Sequence, residues 1–151
     1  MKKHLSFLIK LPLLLMLYHA DSRAIDPIYT SGSSNIAIKG YDTVAYFTEN
    51  KAIKGDKEMS VEYQGAVWHF SSAENLDTFI TQPEKYIPQY GGYCAYAVSR
   101  NTTASINPKA FNVYEGKLYL NYSKGVQKRW MKDLEAGIKK ANTHWPKLLK
   151  K

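Results

Sequence analysis

The chain has 151 residues, with 21 Lys and Arg against 13 Asp and Glu and a formal net charge of +8. That length suits one ordinary domain with a real core, and a single cysteine excludes an internal disulfide framework. The basic balance favours anionic surroundings such as envelope polymers or lipid headgroups, and does not by itself indicate nucleic acid.

The first residues read as an export signal. Met1-Lys2-Lys3-His4 and Lys10 make a positive start, Leu11–Leu17 a short apolar core, and Ser22-Arg23-Ala24 a small-residue cleavage site. An apolar run of about 20 residues, which a membrane-spanning helix needs, is absent. Removal of residues 1–24 would leave 127 residues with a net charge of +5, in the periplasm or outside the cell, without a transmembrane segment. The donors of imidazole and sulfur would then be Cys94, His69, His144, Met59 and Met131.

Residues 25–35 are polar and are expected to form a flexible lead-in, with the domain spanning 36–151. Ile36-Ala37-Ile38 and Val44-Ala45-Tyr46-Phe47 read as short extended pieces around a turn. Tyr63-Gln64-Gly65-Ala66 and Tyr114-Glu115-Gly116-Lys117 each set an X-Gly turn between β-rich flanks, the signature of a tight hairpin. Each hairpin is followed by a serine and a helical pattern, Ser72 matching Ser123 and Phe79 matching Trp130 at one offset of 51. The pattern predicts a hairpin-then-helix unit used twice. The first helix opens at Ser71-Ser72-Ala73-Glu74, a capping pattern, and ends at Pro83. The last is longer, with Val126, Trp130, Leu134, Ile138, Ala141 and Trp145 on one face, basic residues mostly elsewhere, and Pro146 as its stop. The fold class is α+β: a small antiparallel sheet built from hairpins, with one short and one long C-terminal helix packed on it.

Five segments in order, GYDTVAYF (40–47), VWHFSSAENLDTFITQPEKY (67–86), QYGGYCAYAVS (89–99), GKLYLNYS (116–123) and HWPKL (144–148), together resemble the exported, single-domain members of the YHS-domain family. The family is similar to small metal-binding modules beside copper-transporting ATPases, and the resemblance implies metal binding, copper being the usual suggestion. Metal-binding relatives carry one cysteine near the start of the domain and two at the hairpin-to-helix junction. Those positions read Ala45, Ser71 and Asn75 in this chain, and alanine, serine and asparagine are poor ligands for the ions that thiolates hold.

Cys94 is then the remaining place for soft chemistry. In YGGYCAYA it lies in an apolar run consistent with a core strand, and free cysteines are often buried. The flanking glycines and three tyrosines would equally suit a metal ligand or a redox thiol. His69, between Trp68 and Phe70, would point to the opposite strand face from those aromatics; it and Met59 are candidate helpers at a metal site. Hydrolytic catalysis finds no base in a recognisable setting, and export argues against nucleic acid. The expected role is a periplasmic, non-catalytic binding module, with transient binding of a thiophilic ion such as copper, or of a small molecule, near Cys94. Two alternatives remain open: an interaction protein whose basic C-terminal helix meets anionic envelope components or a protein partner, and a thiol redox protein using Cys94.

Overall fold

A computed structural model describes residues 24–151, so the expected export segment lies outside the described residues. The fold is α+β, as the pattern predicts, but the hairpins form two separate sheets. Strand β1 (Asp56–Tyr63) pairs antiparallel with β2 (Ala66–Phe70), and β3 (Asn107–Tyr114) with β4 (Lys117–Asn121). The turn residues Gln64 and Gly65 have φ of 50° and 76°, Glu115 and Gly116 48° and 71°. Two successive left-handed residues make the tight turn that matches strand twist, and a glycine in second place lowers its cost.

Each hairpin runs into a capped helix. The Ser72 hydroxyl accepts from the Asn75 N–H at 3.1 Å to open α2 (Ala73–Thr81), and the Ser123 hydroxyl accepts from the Val126 N–H at 3.2 Å to open α5 (Lys124–Lys132). The expected repeat is deeper than its sequence trace. All four strand boundaries and both helix boundaries recur at an offset of 51, as does a bulge early in each hairpin. Asn50 and Asn101, both left-handed, keep the same spacing. Upstream, the three consecutive positive-φ residues Ile38, Lys39 and Gly40 recur as Tyr90, Gly91 and Gly92, at an offset of 52. A short helix follows in each unit, α1 (Ala45–Thr48) and α4 (Ala95–Ser99).

Four local expectations give way. Val44-Ala45-Tyr46-Phe47, read as extended, belongs largely to α1, because Asp42 caps that turn from within the core. Cys94 precedes α4 and is not in a strand. The long C-terminal helix is two: α5 ends at Asp133, whose φ and ψ of −142° and 56° reproduce those of Gln82 at the end of α2, and α6 (Leu134–Leu148) departs in a new direction. Pro146 does not stop α6. It sits exposed in the last turn, and the helix runs on for two residues beyond it. The apolar stripe survives the break: Trp130 and Ala141 are buried, and Leu134, Ile138 and Trp145 pack on the same cluster as Tyr90, Tyr119 and Val98.

The lead-in is part of the core. Ile28 and Tyr29 are buried, and the Tyr29 N–H donates to the Gly91 carbonyl at 2.8 Å. The units also interlock, since the Tyr46 hydroxyl donates to the Pro108 carbonyl at 2.8 Å and its ring meets Phe111 edge-on at 4.7 Å. Between α2 and α4 the chain passes through a short helix, α3 (Pro83–Tyr86).

A Cβ placed on Gly91 would lie 1.8 Å from the Pro27 carbonyl oxygen, whereas one on Gly116 meets nothing within 4 Å. Gly91→Ala is therefore expected to destabilise by about 3 kcal/mol or more. Gly116→Ala, which meets only the left-handed backbone penalty, should cost about 1 kcal/mol. Urea unfolding of the two variants checks this, and equal midpoints would contradict the packed lead-in.

Candidate functional site

The positions where relatives carry metal-binding cysteines do converge, and they converge on Asp42. This aspartate is fully buried. Its Oδ1 accepts from the Val44 N–H at 2.9 Å and the Ala45 N–H at 3.1 Å, opening α1. Its Oδ2 accepts from the Ser71 N–H at 2.8 Å, the Ser71 hydroxyl at 2.6 Å and the Asn75 side-chain amide at 2.8 Å. Both oxygens act only as acceptors, and five donors use the acceptor capacity of a carboxylate. The residues at the three expected ligand positions thus each direct an N–H or O–H at the same group.

This arrangement does not fit a thiophilic ion. Ala45 offers no side-chain donor atom, Ser71 and Asn75 turn their protons inward, and the Asp42 oxygens are engaged. Among the described residues no cluster of three or more His, Cys, Asp or Glu has metal-holding geometry. Asp42 itself was not among the residues singled out from sequence. Its signal was an isolated carboxylate in an apolar stretch, two and three residues ahead of amides that need a cap.

Cys94 takes the place of Asp42 in the second unit. The Asp42 N–H donates to the Ile53 carbonyl at 2.8 Å, and the Cys94 N–H to the Ala104 carbonyl at 3.1 Å, with Tyr41 and Tyr93 closing the preceding turns alike. The Cys94 side chain is 1% exposed and its Sγ lies 3.7 Å from Asn121 Oδ1. The same Asn121 oxygen accepts from the Tyr96 N–H at 3.2 Å, so a buried amide does for α4 part of what Asp42 does for α1. Met59 is half-buried against the main core cluster.

His69 lies on the β2 face opposite the buried Trp68 and Phe70, as the alternation predicts. The backbone of Gly55 runs against it so closely that a Cβ there would fall 2.5 Å from the His69 carbonyl carbon. Burial and the nearby Lys54 ammonium hold its imidazole below the ordinary 6.5, with Asp56 in partial opposition. His144 is half-buried, its Nδ1 3.1 Å from the Val98 carbonyl.

Two surface depressions are chemically distinct. A groove of about 440 Å³ runs between Pro27, residues 84–91 and α6. Several of its polar side chains are paired: the Tyr90 hydroxyl donates to Asn142 Oδ1 at 2.9 Å, and Glu84 accepts from the Tyr63 hydroxyl at 2.8 Å. A smaller cleft of about 240 Å³ lies between α4, α5 and α6 and is lined by Arg100, Arg129 and Lys140.

Two measurements follow from the buried polar groups. Asp42→Ala leaves up to five donors without their acceptor and is expected to cost about 4 kcal/mol, against about 1 kcal/mol for Asn75→Ala. Denaturant midpoints decide, and near-equal losses would show that the carboxylate is not the hub. For His69 the fold favours the neutral ring, so the unfolded chain binds more protons; its contribution to stability is complete above 6.5 and is lost as pH falls below that value. An NMR titration should place the His69 midpoint below 6.5 and move it upward in Lys54→Met, and a midpoint at or above 6.5 in the native protein contradicts this environment.

Residues 44–90 match the model of the family described as YHS domain. No curated protein and no solved structure matches the chain. The matched segment begins at the opening of α1, spans the first hairpin and α2, and ends at the left-handed turn that starts the second unit. It contains Ala45, Ser71 and Asn75, the three positions gathered around the Asp42 carboxylate. The first hairpin–helix unit of this chain is therefore the part that matches the YHS-domain family.

Proposed function

We propose that this YHS-domain protein is a non-catalytic binding module of the cell envelope that acts through its cationic helical face and not through a resident metal. The observation that carries this reading is the hydrogen-bonded filling of the Asp42 pocket, which consumes the positions where the family's metal ligands would stand. The scaffold is retained while its interior is devoted to stability.

Burial of Cys94 supports the same reading. A structural cysteine in apolar packing is inert both as a nucleophile and as a redox group, which need an accessible thiolate. On the outside, α5 and α6 expose Lys124, Lys128, Arg129, Lys132, Lys139, Lys140 and Lys147, with Asp133 and Glu135 as the acidic residues of that stretch. Such a face attracts anionic partners, and the attraction is screened over about 10 Å at 0.1 M salt. Among the described residues no helix is long and apolar enough to cross a membrane, so envelope contact in this reading is peripheral.

The test pairs two measurements on the same protein. Copper(I) titration against a competing chelator should give no stoichiometric binding that disappears in Cys94→Ser. Retention on an anionic matrix should fall steeply with added salt and be the same in Cys94→Ser. Tight copper binding abolished by Cys94→Ser would overturn the proposal in favour of metal carriage at Cys94. Salt-insensitive retention would remove the cationic face from it.

A further inference from the structure

We infer that the cleft between α4, α5 and α6 is a binding site for a phosphate-bearing group; this deepens the cationic-face reading and rests on it. Three cations from three elements line one concavity of about 240 Å³: Arg100 just beyond α4, Arg129 on α5 and Lys140 on α6. The single carboxylate in the lining is Asp133, so the cleft carries an excess of positive charge.

The fold brings them together in an identifiable way. The break at Asp133 is followed by α6 packed against α4, which places Lys140 beside residues about 40 positions earlier in the chain. Gly137 permits that approach: a Cβ there would fall 2.6 Å from the Trp130 ring, so the glycine lets the helix settle on the indole. Arg100 lies over the Tyr96 ring, its Cζ 5.5 Å from the centroid, which restrains the guanidinium at the rim.

Like charges gathered in a concavity repel one another, and an anion between them converts that repulsion into attraction. Two guanidinium forks with an ammonium suit an oxyanion whose oxygens can be bridged in pairs, for which phosphate is the best match among common biological groups. The volume admits a phosphate with a small attached moiety and is too small for a folded partner. The shared chemistry is thus a phosphomonoester or phosphodiester, borne either by a small soluble molecule or by a lipid headgroup.

An NMR titration with inorganic phosphate at low salt tests the site. Saturable shifts are expected at the amides of Ser99, Arg100 and Gly137. Arg129→Gln should weaken binding by about tenfold, the worth of one charge-assisted hydrogen bond. Asp133→Asn, which removes the opposing charge and breaks no side-chain cap, should strengthen it several-fold. Lys57→Gln, on β1 and outside both the cleft lining and the helical face, should leave it unchanged. Shifts that never saturate, that spread evenly over the lysines, or that respond equally to Arg129→Gln and Lys57→Gln overturn the site.

Vesicles of phosphatidylglycerol, with phosphatidylcholine as the control, separate the two sources. Binding to the anionic vesicles that is lost in Arg129→Gln identifies the headgroup; phosphate saturation without vesicle binding identifies a soluble ligand. If salt-dependent retention on the anionic matrix persists while these cleft effects are absent, the inference falls and the broader reading stands. If phosphate saturates the cleft without any matrix retention, the broader reading falls instead.

Discussion

The first half of this protein is organised around one buried carboxylate. Asp42 opens α1 through two amides, receives the end of β2 through the Ser71 N–H and hydroxyl, and holds the first turn of α2 through Asn75. Three elements, two of them some 30 residues further along the chain, therefore share one acceptor. A buried acceptor with every lone pair engaged fixes geometry because any rearrangement strands a donor in the interior. That is the service a bound ion would give in a metal-holding version of the same architecture, achieved here by a side chain. The proposed function depends on this substitution: with the Asp42 carboxylate fully engaged, the proposal places recognition on the outside of the molecule.

The second half repeats the plan with other chemistry. Cys94 stands in the position of Asp42, and Asn121, at the end of β4, takes up part of the anchoring. Asn121 lies at the repeat position of Phe70, and its Nδ2 finds no partner, as does the indole N–H of Trp130, the counterpart of Phe79. At these two positions the second unit thus buries polar groups where the first has phenylalanine. The lone thiol is accounted for by this equivalence, with no reactive role required.

Much of this was legible in the sequence for particular reasons. Gln64-Gly65 and Glu115-Gly116 announce both hairpins because few residues accept two successive left-handed conformations. Ser72 and Ser123 announce the helices because a hydroxyl at that position answers free amides. The constant offset between them revealed the repeat. What escaped were features decided by tertiary contacts. Val44-Ala45-Tyr46-Phe47 has the composition of a strand, and only the Asp42 carboxylate behind it makes it helical. The break at Asp133 has no proline to signal it, unlike the equivalent break before Pro83. Ile28 and Tyr29 lie within a polar-looking lead-in but pack into the core against the close-approaching backbone at Gly91. The cleft was invisible because Arg100 and Lys140 become neighbours through the fold alone, while the basic character of α5 and α6 was apparent.

The interlock of the two units has a consequence for how the molecule assembles itself. Tyr46, from the first unit, is 1% exposed only because Pro108 and Phe111 of the second receive it. Each half thus leaves part of its interior to be covered by the other, despite their near-identical layout. The two halves meet as the subunits of a dimer do, each completing the other's interior, with the chain itself as the tether.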